Sequence, residues 1–253
     1  MKPISVQLYS LREESKQDFV GVLKNVASIG FKGVEPAGLY GLKPAEARKI
    51  VEDLGMVVSS NHGPWPNRDN LAEVIDVAKG LGTDTVVTGF GPDDFKTLDA
   101  IKATADTANF ITNTLAKAGI TVALHNHFWE FDKVEGRIAY DILMDRCPLL
   151  KSELDIYWVS NFGKCDAPTE IRKNAKRTVL MHVKDGPLVK DQPMTAVGTG
   201  KVNIPDCVAA ADEKVLRWLI VELDACATDM LQAVADSYRY LVRTKLAAGN
   251  KPA

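Results

Sequence analysis

FVGVLKNVASIGFKGVEP, residues 19–36, holds one full step of the pattern that decides the fold. Phe19, Val22, Leu23 and Val26, with Ala27 or Ile29, recur at helical spacing and can share one buried stripe. Gly30 follows at the point where a helix ends on a left-handed residue. Gly33–Pro36 then reads as a short strand that proline closes. Gly55, Gly82 and Gly119 punctuate the chain in the same way, each after an amphipathic segment and before a β-rich run.

Working outward gives eight such runs: Ile4–Ser10, Gly33–Pro36, Val57–Asn61, Thr85–Gly89, Thr121–His125, Ser152–Tyr157, Val179–Val183 and Leu219–Leu223. Every interval between them leaves room for the helix that a parallel crossover needs. One such helix is announced by Asp166-Ala167-Pro168, an N-cap followed by proline in the first turn. Eight βα units in 253 residues predict the α/β class and a closed (β/α)8 TIM barrel, one domain over 1–253 with 247–253 a loose tail. An open doubly wound sheet alternates similarly. However, no G-x-G-x-x-G follows the first strand, and Gly198-Thr199-Gly200 comes late with no strand before it.

A net charge of −2, from 31 basic and 33 acidic residues, gives no global attraction to nucleic acid or to an anionic membrane, and neither is expected as a partner. Cys147, Cys165, Cys207 and Cys226 form no CxxC pair and read as reduced structural thiols. Met1–Arg12 has no apolar h-region and no later run reaches membrane-spanning length, so a soluble, cytoplasmic chain is expected. A leader removed before this numbering begins would leave no trace in it. The sequence leaves the oligomeric state open, a homo-oligomer included.

All four histidines, His62, His125, His127 and His182, fall at or just beyond the C-terminal end of a predicted strand. In a parallel barrel those ends share one mouth, where catalytic groups meet. Glu35, Asp155 and Glu222 occupy matching positions, and a carboxylate facing a barrel interior must be paired, protonated or metal-bound. Strand alternation puts Asp155 on one face with Tyr157, and sets Glu222 against its apolar neighbours. Asp155, His182 and Glu222 thus come from successive strands, and HNHFWEF (125–131) can add a fourth donor. Such a mixed set suits Mn, Co, Zn or Fe and leaves a position for a substrate oxygen.

The motifs QLYSLR, HNHFWEF, LDIYW, HVKD, GTG and VELD, in this order over nearly the whole chain, resemble the sugar phosphate isomerase/epimerase family of xylose isomerase-like barrels. More narrowly they resemble its HNHxxEF branch, which includes inosose dehydratase-like and 3-keto-sugar lyase-like proteins. The resemblance implies one divalent ion held by Asp155, His182, Glu222 and a residue of HNHFWEF. Glu130 is the first choice for that fourth ligand and His125 the second, because relatives carry a strand-five Glu where this chain has His125. It also implies a metal-stabilised enediolate formed by proton removal next to a carbonyl. His125, His127, Glu130 and Glu222 are the candidate bases, and Lys184 faces the oxyanion or the leaving group. Glu35, His62, Trp65, Trp129 and Trp158 are candidate substrate contacts.

The leading expectation is a metal-dependent isomerase or epimerase of a small sugar or sugar derivative. Beside it stands a dehydratase or lyase that shares the first proton transfer and then expels a leaving group from a keto-sugar or inosose. A multi-zinc phosphodiesterase would need more histidines than four, and a non-catalytic carbohydrate-binding subunit would keep the site for recognition alone. No arginine cluster marks a phosphate, although the Gly198–Lys201 loop offers backbone N–H groups. An unphosphorylated sugar or cyclitol is therefore the expected substrate.

Overall fold

The computed structural model describes residues 1–253 and contains eight parallel strands: β1 (Lys2–Gln7), β2 (Gly33–Glu35), β3 (Val57–Val58), β4 (Thr85–Thr88), β5 (Thr121–His125), β6 (Lys151–Asp155), β7 (Thr178–Val183) and β8 (Trp218–Val221). Hydrogen bonding runs β3-β2-β1-β8-β7-β6-β5-β4, so the first strand lies between the second and the last. A single parallel bridge joins the two ends of this series: Asn61 N–H donates to Thr85 O at 3.0 Å and Val87 N–H to Asn61 O at 2.9 Å. The sheet therefore closes on itself as a TIM barrel, which excludes the doubly wound alternative.

Local chemistry explains where the elements stop. Asp18 leaves helical geometry at φ −150° and its carboxylate accepts the N–H of Gly21 at 2.8 Å, capping the helical stretch that runs to Ile29. Phe19, Val22, Leu23 and Val26 are its buried face, as the spacing predicts. Gly82 closes the helix Leu71–Leu81 at φ +72°, a conformation most side chains resist. Asp166 caps Ala167–Asn174 through Thr169 N–H. All four cysteines are free. No helix is long and apolar enough to cross a membrane.

Six expected strands end early, and at three of them the early end shapes the site. Gln7 Oε1 accepts the Tyr9 N–H at 2.9 Å, and Leu8–Leu11 turns into a 3-10 helix instead of extending β1 to Ser10. Asp155 Oδ1 accepts the N–H groups of Tyr157 and Trp158, both at 3.0 Å, so a short helix, Ile156–Val159, begins there. Tyr157 consequently does not share a strand face with Asp155. β8 stops at Val221, which leaves Glu222 just past its end. The expected loose tail is also revised. Ala247–Ala248 pairs with Lys2–Pro3, Asn250 N–H donates to Gly30 O at 2.7 Å, and Tyr238 hydroxyl donates to Lys251 O at 2.6 Å.

Alternation along the strands builds two layers inside the ring. Ala123, Leu180 and Ile220, each two residues before His125, His182 and Glu222, join Val87 and Val179 in a five-residue apolar cluster separate from the main core. That core, 58 buried residues, lies between the strands and the helices. The apolar plug thus floors a polar mouth.

A candidate active site at the mouth of the barrel

The four predicted histidines do converge. Ring centroids of His125 lie 5.0 Å from His62, 5.1 Å from His127 and 4.7 Å from His182. β5 and β6 are tied together above them by Asn126, the middle residue of HNH, whose Oδ1 accepts the Asp155 N–H at 3.0 Å. A cavity of about 460 Å³ opens onto this cluster, walled by Gln7, Tyr9, Ala37, His62, Trp65, His125, His127, Glu222 and Asp224.

His182 is the hub. Its Nδ1 lies 2.7 Å from Glu222 Oε2 and its Nε2 2.9 Å from Glu35 Oε1. Burial disfavours charge on this ring, but Glu153, Glu222 and Glu35 outweigh burial and hold its pKa well above the usual imidazole range. Glu35 also accepts from Gln7 Nε2 at 2.9 Å and from Ser60 Oγ, with His62 Nδ1 at 3.2 Å. Glu35 is therefore fully buried behind the histidines and is no substrate wall, contrary to expectation.

Glu153 is the residue that sequence reasoning missed. It is fully buried, its Oε2 lies 3.2 Å from His182 Nε2, 3.4 Å from His125 Nδ1 and 3.6 Å from His62 Nδ1, and neither oxygen has an aligned hydrogen bond. Burial and the adjacent Glu35 push its carboxyl well above the usual range. Its signal was available, because Glu153 is two residues before Asp155 and so shares its strand face.

Lys184 is also buried, with Nζ 3.0 Å from Asp155 Oδ2, 2.8 Å from Glu222 Oε2 and 2.9 Å from Asp224 Oδ2. Burial opposes its charge, yet Asp155, Asp224 and Glu222 hold the ammonium well above its ordinary pKa. Asp155 itself is pushed up to about 6 by burial, against the pull of Lys184. Glu222 is held low because Lys184 and His182 outweigh its burial. Burial, helped by His182 and His62, holds His125 well below the usual range, and burial with the Lys184 charge lowers His127 to about 4. Both rings are therefore neutral near pH 7.

Other expected contacts lie elsewhere. Glu130, first choice for the fourth ligand, belongs to neither group of converging donors. Its Oε2 accepts the His127 N–H at 2.9 Å and its Oε1 is buried without a partner. His125, the second choice, belongs to both groups. Trp129 stacks on His127 at 4.2 Å instead of facing the cavity, whereas Trp65 does line it. Trp158 lines an adjoining cavity with Phe128 and Phe162, and that cavity meets the first at Asp224. Gln7, Tyr9 and Asp224 were not singled out from the sequence.

The Gly198–Lys201 loop cannot offer its amides to a phosphate. Asp185 accepts the N–H groups of Gly198 and Gly200 at 2.9 Å each, of Val202 at 3.0 Å and of Gly186 at 2.8 Å. The Thr199 and Lys201 N–H groups go to Ala196 O and Gly186 O. Every donor of this nest is spent inside the protein.

The donor chemistry fits a divalent ion. His62, His125, Glu153 and His182 form one group and His125, Asp155, His182 and Glu222 another, with the ligand atoms of each within 4.8 Å of one another. His125 Nδ1 and both Glu153 oxygens are buried without aligned hydrogen bonds, whereas Asp155 Oδ2 already faces the Lys184 ammonium at 3.0 Å. Unpartnered buried donors of this kind are what a cation would satisfy. Oxygen and imidazole donors without thiolate suit Mn, Co, Zn or Fe.

Residues 23–243 match the profile described as xylose isomerase-like TIM barrel. The chain belongs to that family. Among solved structures, this xylose isomerase-like barrel is similar to a sugar phosphate isomerase/epimerase from Parabacteroides distasonis, at 24% identity over 98% of this chain and 96% of that one, TM-score 0.81. It is similar also to a probable 3-DHS dehydratase from Bacillus anthracis, at 13% identity over 94% and 98% of the two chains, TM-score 0.73. An L-ribulose 3-epimerase aligns at 18% identity over 97% and 95%, TM-score 0.71. Among curated proteins none matches. At these identities the likeness speaks for the shared barrel.

Proposed function

We propose that this protein is a divalent-metal-dependent isomerase or epimerase of a small, unphosphorylated sugar or cyclitol, acting by removal of a proton next to a carbonyl. The observation that carries the reading is the convergence of His125, Asp155, His182 and Glu222 beneath one cavity. Those four residues, with His62 and Glu153 beside them, are the donors available to an ion. When bound, a divalent ion would polarise the substrate carbonyl as a Lewis acid. His127, which belongs to neither donor group, lines the cavity in the neutral form that a base requires. Lys184, expected to face the oxyanion, is instead buried against Asp155, Glu222 and Asp224, and its ammonium positions these carboxylates at the site. Tyr9 and Trp65 offer aromatic faces to the CH side of a sugar ring. The spent amides around Asp185 favour a substrate without phosphate.

The adjoining cavity lined by Phe128, Trp158 and Phe162 favours a second reading, a carbon–oxygen lyase of the HNHxxEF kind acting on a keto-sugar or inosose. The same proton removal would be followed by departure of a group with room to leave.

Metal content by inductively coupled plasma mass spectrometry tests the reading, on protein purified without chelator beside H125A and H182A. At least one ion per chain is expected in the wild type and less in both variants. A wild type that binds none of Mn, Co, Zn or Fe after each is added back overturns it. With the ion established, an isomerised product or an eliminated enone from a panel of keto-sugars and inososes separates the two readings.

A further inference from the structure

Two carboxylates, Glu35 and Glu153, are fully buried side by side at the bottom of the mouth. Like charges in such a place require a shared proton or a cation between them and their neighbours. Glu35 is well supplied with donors, from Gln7, Ser60 and the rings of His62 and His182. Glu153 has none in alignment, although three imidazole nitrogens surround its Oε2 at 3.2, 3.4 and 3.6 Å.

Those separations carry information. Four N and O donors around a tetrahedral first-row ion, each bonded at about 2.0–2.1 Å, stand about 3.3 Å from one another. The three contacts of Glu153 Oε2 are three of the six edges of such a tetrahedron. The group of His125, Asp155, His182 and Glu222 is different, because Lys184 already places a cation 3.0 Å from Asp155 and 2.8 Å from Glu222.

We propose that a divalent cation is held in the first of the two donor groups, by His62 Nδ1, His125 Nδ1, Glu153 Oε2 and His182 Nε2. The assignment rests on the reading of the site as metal-dependent and fixes the ion's station within it. His182 uses Nε2 toward the ion and keeps Nδ1–H for Glu222, so one ring serves both groups. The ion takes the place of the protons that link His182 Nε2 and His62 Nδ1 to Glu35. Two positive charges then face the two buried carboxylates.

The deciding measurement is anomalous diffraction at the cobalt edge from wild-type crystals soaked in cobalt(II). A peak within bonding distance of Glu153 Oε2 and His62 Nδ1, alone or with another near Asp155, supports the assignment. A peak only between Asp155 and Glu222 overturns it and leaves the functional reading standing, whereas no peak removes both. In solution, E153Q and H62A are each expected to weaken cobalt binding by at least about tenfold, read by calorimetry and by the visible bands of tetrahedral cobalt. Because Gln mimics a protonated Glu153, wild-type affinity in E153Q would show that a proton, not an ion, occupies the place.

Discussion

Glu130 Oε2 accepts the backbone N–H of His127 at 2.9 Å, while the other oxygen of the same carboxyl is buried with no partner. The glutamate of the HNHFWEF loop thus braces the loop from inside, and burial pushes its carboxyl up to about 8 against the backbone N–H groups of Glu130 and His127.

A pH-dependent cost follows. Between the ordinary value of 4.5 and about 8 the unfolded chain ionises Glu130 while the folded chain keeps it protonated. The native state therefore binds more protons, and this residue makes stability fall as pH rises through that window, by up to about 1.4 kcal/mol per unit. Glu130→Gln keeps an acceptor for His127 N–H and removes the titration. Urea denaturation should show the variant gaining on wild type from pH 5 to about pH 8. A difference that does not change with pH would mean that Glu130 is ionised throughout. Metal content should be unaltered, since Glu130 lies outside both donor groups.

Lys184 and Asp224 separate a buried charge from a rim charge. Lys184 is about 1% exposed and contacts three carboxylates, so Lys184→Ala leaves the fully buried Asp155 beside a void without its nearest cation, while Glu222 keeps His182 and Asp224 reaches solvent. A loss of about 3–5 kcal/mol is expected. The Asp224 side chain is 34% exposed, and Asp224→Asn leaves Lys184 two other partners. Its cost should stay below about 1 kcal/mol. Equal losses in chemical denaturation would show that the pocket does not bury its charge as described.

What the sequence disclosed and what it hid divide along one physical line. Helix stripes, glycine stops and strand runs are local, so the eight strands, the Asp166 cap and the histidines at the strand ends were legible. Asp155, His182 and Glu222 were legible too, because parallel strands bring their C-terminal ends together. Glu153 was missed because alternation was read forward from Asp155 to Tyr157, where the Asp155 side chain caps a helix and ends the strand. Counting backward along the strand finds it. Glu35 had the right parity but its depth depends on pairing Gln7 with Glu35, a register no single strand displays. Whether Glu130 or His125 joins the donors depends on the turn Trp129–Phe131, and spacing alone does not orient a turn.

Asp185 offers the sharpest test of the loop that follows β7. Four backbone N–H groups from Gly186, Gly198, Gly200 and Val202 converge on its carboxylate, which is about 1% exposed. Asp185→Ala removes the acceptor of all four; water reaches the exposed Gly198 and Gly200, so the buried Gly186 N–H bears the largest cost, about 1–3 kcal/mol. The cheaper outcome is local opening, so hydrogen exchange should accelerate at Gly198, Gly200 and Val202 while β5 to β8 stay protected. Gly200→Ala should have the same signature, because a Cβ there would overlap the Asp185 carboxylate and Gly186 N. Freed amides form an anion-binding concavity. Inorganic phosphate, silent in calorimetry against the wild type, should therefore bind measurably to Asp185→Ala. Phosphate binding to the wild type at this loop, seen as exchange protection of Gly198 and Gly200, would show instead that Asp185 yields its donors, and would reopen phosphorylated sugars as substrates.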